Sequence, residues 1–350
     1  MAGGIGSRFW PMSTPERPKQ FLDVLGIGKS LIQMTFERLL KVSPAENIYV
    51  VTNMDYKQMV LEQLPQLTPD QVLTEPERKN TAPCIAYAAA KIHAKDPNAR
   101  LVISPADHLI IQEDGFAETI EAALGAAAND RIATIGIQPT RPDTGYGYIE
   151  FNQGSVSPND VLPVTQFREK PDLNTAKEFV AAGNFYWNSG IFIWKSQTVL
   201  DALKSFQPAL HDLFCGDLSA YNTDKEQDFV NHAFRTCEDI SIDFAVMEYA
   251  KNIDVVLSNF DWSDLGTWGS LDTHLKKDDN NNANVGGAHL FDSKNCIINV
   301  PESQTVLIDG LEDYIVIQSD DRLMILRKEN EQALKTMVQE VNSKTESAKV

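Results

Sequence analysis

Cysteine is scarce in this sequence: Cys84, Cys215, Cys237 and Cys296 stand far apart in 350 residues, and no two form a C-x-x-C pair. That excludes a zinc knuckle or a dithiol redox motif and fits a reduced, cytoplasmic setting. Cations are also in deficit, 31 Lys plus Arg against 49 Asp plus Glu, for a formal net charge of -18. A surface of that sign repels a phosphate backbone or an anionic bilayer, so neither nucleic acid nor a membrane is an expected partner. A few local Lys and Arg residues can still gather a small anionic substrate. No apolar run approaches the roughly 18 residues of a membrane span, and no basic segment followed by an apolar one opens the chain. The 6 histidines show neither H-x-x-x-H nor H-E-x-x-H spacing, so no metalloprotease-like site is signalled.

What is present is a 43% hydrophobic content over a length that can bury a sizeable core, favouring one large domain and a smaller appendage. Val- and Ile-rich runs at 47–52, 100–104 and 131–137 alternate with segments of helical period at 31–41, 54–64, 82–94 and 116–128. The alternation predicts βαβ units and an α/β fold with a mostly parallel sheet covered on both faces, where ligands sit at the carboxyl ends of strands. From Gly145 the pattern changes to longer β segments at 146–151, 161–169 and 185–194, with one helix near 173–183, as insertions that wall a cleft. The polar stretch 276–284 reads as a linker. Beyond it, strands near 288–291, 296–300, 305–308, 314–318 and 323–327 are spaced by about nine residues, which suits a small β-helix or roll. A polar helix over 329–341 closes the chain. The expected division is a domain over 1–275 and a small β domain with its closing helix over 285–345.

Chemistry is concentrated near the start. Ala2-Gly3-Gly4-Ile5-Gly6-Ser7-Arg8 packs three glycines and an arginine into one turn, where backbone N–H groups can approach a phosphate that Arg8 neutralises. It is not a dinucleotide fingerprint, because the third glycine of G-x-G-x-x-G falls at Phe9. Nor is Gly28-Lys29-Ser30 a P-loop, because the leading glycine falls at Asp23; Ser30 reads as the cap of the helix that follows. Lys19 lies in Arg17-Pro18-Lys19-Gln20-Phe21, a loop that Pro15 and Pro18 hold extended. From these residues alone it is either a solvated surface lysine or a phosphate ligand. The glycine loop begins almost at residue 1, whereas such a loop ordinarily follows a strand. That predicts a natural chain beginning upstream, with Met1 an internal methionine or an artificial boundary.

AGGIGSRFWPMS followed by ERPKQF resembles the signature of the sugar-nucleotide pyrophosphorylases, and its Trp-Pro-Met-Ser ending resembles their mannose-1-phosphate guanylyltransferase branch. Further matches follow in order: EPERKNTAPCIAYAA, PADH, TGYGYIE, FREKP, WNSGIFIW, SIDFAVME and DWSDLGTW, so the resemblance covers residues 1 to 270. It implies a Rossmann-like nucleotide-diphospho-sugar transferase domain and a C-terminal β-helix-like domain. It also implies GTP and mannose 1-phosphate as substrates, Mg2+ as cofactor, and is compatible with a homodimer. Ala2, Gly3, Gly4, Gly6 and Ser7 are implied to hold the nucleotide, with Arg8 and Lys19 stabilising charge on the reacting phosphates. Asn80 and Thr81 are implied to lie under the base. The other reading of that stretch, a helix N-terminus capped by Thr81 with Pro83 just inside, is compatible with this.

Asp107 and Asp264 are the implied metal pair, matching the preference of Mg2+ for one or two carboxylates completed by phosphate and water. Without the resemblance, Asp107 reads as a turn or helix cap, and Asp261 competes with Asp264. His108 is expected beside the metal rather than on it. Glu169 and Lys170 are implied to face the sugar phosphate, with Gly147 and Asn188 completing the sugar pocket; a Glu-Lys pair is otherwise a surface ion pair of little energy. Asp243 fits that pocket or an N-cap. Trp187, Phe192 and Trp194 are expected to be packed strand residues. The implied reaction is attack of a sugar-phosphate oxygen on the α-phosphorus of GTP, giving GDP-mannose and pyrophosphate, with no His or Cys nucleophile. The alternatives are another sugar phosphate or triphosphate, or a non-catalytic nucleotide-sugar sensor on the same fold. Some members of the family carry a fused cupin-type isomerase; only His274 and His289 lie beyond residue 270, so a monofunctional transferase is expected.

Overall fold

The alternating segments do fold as strand and helix in turn in a computed structural model that describes residues 1–152 and 154–347. In chain order the elements are α1 (Leu31–Leu39), β1 (Val50–Asn53), α2 (Lys57–Gln63), β2 (Val72–Glu75), α3 (Thr81–Lys95), β3 (Arg100–Ile103), α4 (Glu113–Ala127) and β4 (Ile132–Ile137). There follow β5 (Tyr148–Phe151), β6 (Val161–Arg168), α5 (Leu173–Ala182), β7 (Phe185–Lys195), α6 (Ser196–Phe206), α7 (Pro208–Cys215), α8 (Glu226–Thr236) and β8 (Ile253–Leu257). The last third holds α9 (Trp268–Asp272), β9 (Ala283–Gly286), β10 (Ala288–Phe291), β11 (Ile297–Val300), β12 (Val306–Asp309), β13 (Tyr314–Ser319), β14 (Arg322–Arg327) and α10 (Leu334–Ser347). Two compact units result. One comprises Met1–Gly3, Phe36–Pro105 and Ile110–Trp262; the other comprises Gly4–Thr35, Ala106–Leu109 and Ser263–Val350.

In the first unit six strands lie in the order β3-β7-β4-β8-β6-β5, and β1 and β2 form a separate parallel pair. β4 and β8 are parallel, with Ile132 beside Ile253. β7 runs antiparallel to β3, β4 and β5, and β6 antiparallel to β5 and β8. The parallel pairing expected from the alternation is thus present at β1–β2 and β4–β8, whereas β7 enters in the opposite sense. A local pattern shows that β7 is buried on both faces but carries no information on its direction. Phe192 and Trp194 pack on one core with Ile85, Leu203 and Phe214, while Ile191 and Ile193 face another with Phe116 and Ile120 of α4. Trp187, Phe192 and Trp194 are all buried, as a packed strand requires.

Helix ends in this unit follow short-range chemistry. Asp172 opens α5 by accepting from the N–H groups of Asn174 and Thr175, and Gly183 ends it in the left-handed region at φ 78°. α3 is capped by Asn80, whose side chain accepts from Thr81 N–H, and not by Thr81 as the sequence suggests. The shift of one residue arises because Asn80 adopts φ 66°, a left-handed backbone that Asn tolerates better than Thr.

The second unit gathers the glycine loop and the C-terminal strands. β9, β11 and β13 stack in parallel, Ala283 beside Ile297 and Ile297 beside Ile315, and β10 stacks on β12 with Ala288 beside Val306. The nine-residue strand spacing is therefore half of an 18-residue coil carrying two strands, a β-helix-like stack that β14 closes by antiparallel pairing with β13. Corners stack with the same period: Lys294 pairs with Glu312 at 2.8 Å, and the Asn295 amide donates to Asp313 at 2.5 Å. The residues 276–284 are not a free linker. Asp278 accepts from the N–H groups of Asn280 and Asn282, and the buried Asn282 donates to Ser293 O and accepts from Cys296 N–H. The closing helix is also modified, with a 3-10 segment at Lys328–Ala333 before α10. Among the described residues no helix is long and apolar enough to cross a membrane.

Candidate active site

Within the second unit the loop at Gly6 is fixed by close approach. Its φ is 73°, and a Cβ there would fall 2.5 Å from Cβ of Lys19, so neither the backbone nor the space admits another residue. Gly4 faces open space. Directly after Gly6 a 3-10 turn over Ser7–Phe9 exposes Arg8 and buries Phe9, whose ring packs 4.7 Å from that of Trp268. Lys19 begins a second 3-10 turn, Lys19–Phe21, behind Pro18. It is 4% exposed, so it is no surface lysine. Its ammonium donates to Asp264 O at 2.7 Å and Leu265 O at 3.2 Å, pairs with Asp107 Oδ2 at 3.0 Å, and lies 5.6 Å from the Phe9 ring centre.

Asp107 and Asp264 come from distant parts of the chain, and a two-bond bridge brings them together. Leu109 N–H donates to Ser263 O at 2.8 Å and Ser263 N–H to Leu109 O at 3.0 Å. The Asp264 turn is tight: its Oδ1 accepts from Gly266 N–H at 2.9 Å, and Leu265, fully buried, is held at φ 45°. A left-handed leucine is a strained conformation, of a kind that persists where surrounding packing over-determines it. Burial acts to raise the Asp107 carboxyl, but the Lys19 ammonium and His108 outweigh it and hold the group below the usual carboxylate range. A cavity of about 310 Å³ is lined by Gly6, Ser7, Arg8, Lys19, Asp107 and Asp264, with His108 and Lys335 also on its wall. Ala2 and Gly3 belong to the first unit. Ala2 bonds to β1 through Val51 O and Thr52 Oγ1, and Gly3 O accepts from Arg78 Nε at 3.1 Å.

Two carboxylates on one cavity wall, with room for phosphate oxygens, suit a magnesium ion, whose remaining ligands come from substrate and water. Among the described residues no group of three or more His, Cys, Asp or Glu forms a protein-only metal cage. Asp261 is otherwise engaged: its Oδ1 accepts from Ile111 N–H at 3.0 Å and Gln112 N–H at 2.8 Å, at the start of α4.

The first unit holds a second cluster, built on β5, β6 and β7. A Cβ on Gly147 would lie 2.5 Å from Glu169 Oε2 and 3.4 Å from Asn188 Cβ, so the glycine allows these side chains to meet. Glu169 bonds the exposed ammonium of its neighbour Lys170, which sits at φ 43°. The Asn188 amide donates to Asp243 Oδ1 at 2.9 Å and accepts from Gly190 N–H at 3.1 Å. Asp243 is not the N-cap: it is inside a π-helical turn, Asp243–Met247, and Ser241 Oγ accepts from Phe244 N–H instead. Burial first, and the Glu169 charge second, push the Asp243 carboxyl up to about 6. A set of half-buried acceptors next to an exposed lysine suits hydroxyl groups and an anion on one ligand.

At the N-terminus of α3, Thr81 Oγ1 accepts from Ile242 N–H at 2.9 Å, leaving its proton to donate. Upstream, Glu75 opens the EPERKNTAPCIAYAA match but is given no role by the sequence. It is buried, its Oε1 has no partner, and burial pushes its carboxyl up to about 7 against the opposing effects of Cys84 and Arg78. Lys335 leaves no sequence signal, being one lysine in a polar helix.

The family model for nucleotidyl transferases matches residues 1–281, and that for the MannoseP isomerase/GMP-like β-helix domain matches 288–341. The alginate biosynthesis protein AlgA of Pseudomonas putida is 38% identical over 97% of this chain and 70% of its own length. A mannose-1-phosphate guanylyltransferase of Salmonella montevideo is 37% identical over 97% of this chain and 73% of its own. The crystal structure of a protein described as mannose-1-phosphate geranyltransferase from Thermus thermophilus superposes with a TM-score of 0.87, at 27% identity and 98% coverage of both chains.

Proposed function

This chain belongs to the nucleotidyltransferase family, in its mannose-1-phosphate guanylyltransferase branch, and from that premise we propose that it transfers GMP from GTP to mannose 1-phosphate, releasing GDP-mannose and pyrophosphate. The observation that carries the chemistry is the single cavity lined by Arg8, Lys19, Asp107 and Asp264. A sugar-phosphate oxygen is already ionised near neutral pH, so attack on the α-phosphorus needs no general base. The chain's work is positioning and charge stabilisation. Arg8 meets the polyphosphate from the exposed side of the loop. Lys19, fixed by two carbonyls and Asp107, supplies positive charge that cannot swing away as charge develops. Enzymes of this family generally work with a divalent metal. Asp107 and Asp264 are the residues that would hold Mg2+ here, and the ion would screen repulsion between two phosphorylated substrates.

In the first unit, Asn80 and Thr81 serve the base, and Gly147, Glu169, Lys170, Asn188 and Asp243 serve the sugar phosphate. In chain order, 1–275 is the transferase domain and 285–345 the β-helix-like domain. Four thiols that form no disulfide support a cytoplasmic setting. The exposed Leu323 and Ile325 on the edge strand β14 support a homodimer. The deciding experiment assays purified protein against a panel of nucleoside triphosphates and sugar 1-phosphates. GTP with mannose 1-phosphate should show the highest kcat/KM, and a preference for another pair would overturn the substrate assignment.

A further inference from the structure

Lys335 lines the same cavity as Arg8, Lys19, Asp107 and Asp264, although it belongs to the terminal helix α10. Three anchors hold the start of that helix in place. Glu331 Oε2 accepts from Gly269 N–H at 2.8 Å, and a Cβ on Gly269 would come 2.9 Å from that oxygen. Leu334 is 3% exposed in a core shared with Phe9, Leu265 and Trp268, and Val338, one turn on, packs against the same core. Phe9 and Leu265 are the sequence neighbours of Arg8 and Asp264. Lys335, next to Leu334, is therefore set at the cavity by packing, not carried there on a loose tail.

The charge inventory gives this lysine a task. The Lys19 ammonium is already taken by a carboxylate and two carbonyls. Arg8 and Lys335 are exposed and have no ion-pair partner among the described residues. A polyphosphate entering this cavity, in a chain of net charge -18, meets these two cations as the ones free to reorganise around it. We propose that Lys335 binds the pyrophosphate portion of the triphosphate substrate and the pyrophosphate product, so that the C-terminal helix completes the nucleotide site. This deepens the guanylyltransferase reading and rests on it for the identity of the nucleotide.

The test uses the full chain with Lys335→Ala, Lys335→Glu and Lys335→Arg, and Lys344→Ala as a control for removing one charge from the same helix. Binding of inorganic pyrophosphate is read by calorimetry, and the KM values for GTP and mannose 1-phosphate by steady-state kinetics. Lys335→Ala should weaken pyrophosphate binding and raise the GTP KM by about tenfold, the size expected for losing one charge-assisted contact. Lys335→Glu should do more, Lys335→Arg should restore most of the loss, and the mannose 1-phosphate KM and the melting temperature should hold. Lys344→Ala should match wild type. Wild-type pyrophosphate affinity in Lys335→Ala would sink the proposal, as would an equal loss in Lys344→Ala, or a wild-type protein that does not bind pyrophosphate. A protein that binds pyrophosphate through Lys335 but prefers another triphosphate would overturn the substrate assignment and support the role of Lys335.

Discussion

Lys19 and Glu75 show how far a buried charge is set by its neighbours. Replacing Lys19 by Met removes the ammonium and leaves the Asp107 carboxylate and two carbonyls without their donor. Turnover should fall at least about a hundredfold, the scale of losing one preorganised charge-stabilising group. The melting temperature should fall as well, because removing one member of a buried pair leaves the other uncompensated. Near wild-type turnover measured below that melting temperature would remove Lys19 from the chemistry. Glu75 carries the opposite strain, since its carboxyl is pushed up to about 7 by burial. A raised carboxyl holds its proton in the folded state where the unfolded chain has lost it. Stability is therefore fully present below about pH 4.5 and declines as pH rises toward 7, by roughly 3 kcal/mol in all. Glu75→Gln should flatten this dependence and melt higher than wild type at pH 8; parallel melting curves against pH for the two proteins would show that Glu75 is not the group responsible.

At the scale of elements, the two aspartates of the Asp261–Asp264 region are separated in role by what each one caps. Asp261 satisfies backbone N–H groups ahead of α4, whereas Asp264 stands on a strained turn facing the cavity. Asp107→Asn and Asp264→Asn should each lower activity strongly and raise the Mg2+ concentration needed for half-maximal rate. Asp261→Asn should lower the melting temperature by weakening a helix start, a contribution of about 1 kcal/mol, with its Mg2+ requirement unchanged. Mg2+ titrations of the three variants separate these outcomes, and a shift confined to Asp261→Asn would exchange the assignments. Both carboxylates are visible in sequence as strand-end or turn aspartates. Nothing in their spacing distinguishes a cap from a ligand, because that difference lies in which N–H groups happen to face them.

For the whole molecule, the unit that carries the glycine loop is discontinuous in sequence. Phe9, Leu22, Val24 and Leu31 share one core with Ile297, Ile315, Ile317, Met324, Leu326 and Leu334. Reading the motifs alone suggests that deletion after Lys277 spares the catalytic fold, because every motif precedes that point. The shared core predicts otherwise. At roughly 2–5 kcal/mol for each large side chain lost from a core, six such losses reach the whole net stability of a typical domain, ~5–15 kcal/mol. The truncated chain should lose protection from amide exchange over residues 4–35 and lose activity with it. A truncated protein with wild-type melting temperature and turnover would show that the C-terminal strands are dispensable.

The sequence by itself determined β1, β3 to β7, α1 to α5, β10 to β14, the closing helix and the glycine loop, because helix period, strand alternation and short motifs are local properties. β2, α6, α7, α8 and β9 are not read from it, and Lys19, Asp107 and Asp264 are singled out by the family resemblance and not by spacing. It also carried the coil of the C-terminal strands in their nine-residue spacing. Tertiary structure alone decided that β7 runs antiparallel, that residues 276–284 are a hydrogen-bonded corner around the buried Asn282, that Lys19 is buried against Asp107, and that α10 brings Lys335 to the cavity lined by Arg8, Asp107 and Asp264. Each of these depends on contacts between residues far apart in the chain, and a side chain's charge, burial and free partners are properties of the neighbours that folding gives it.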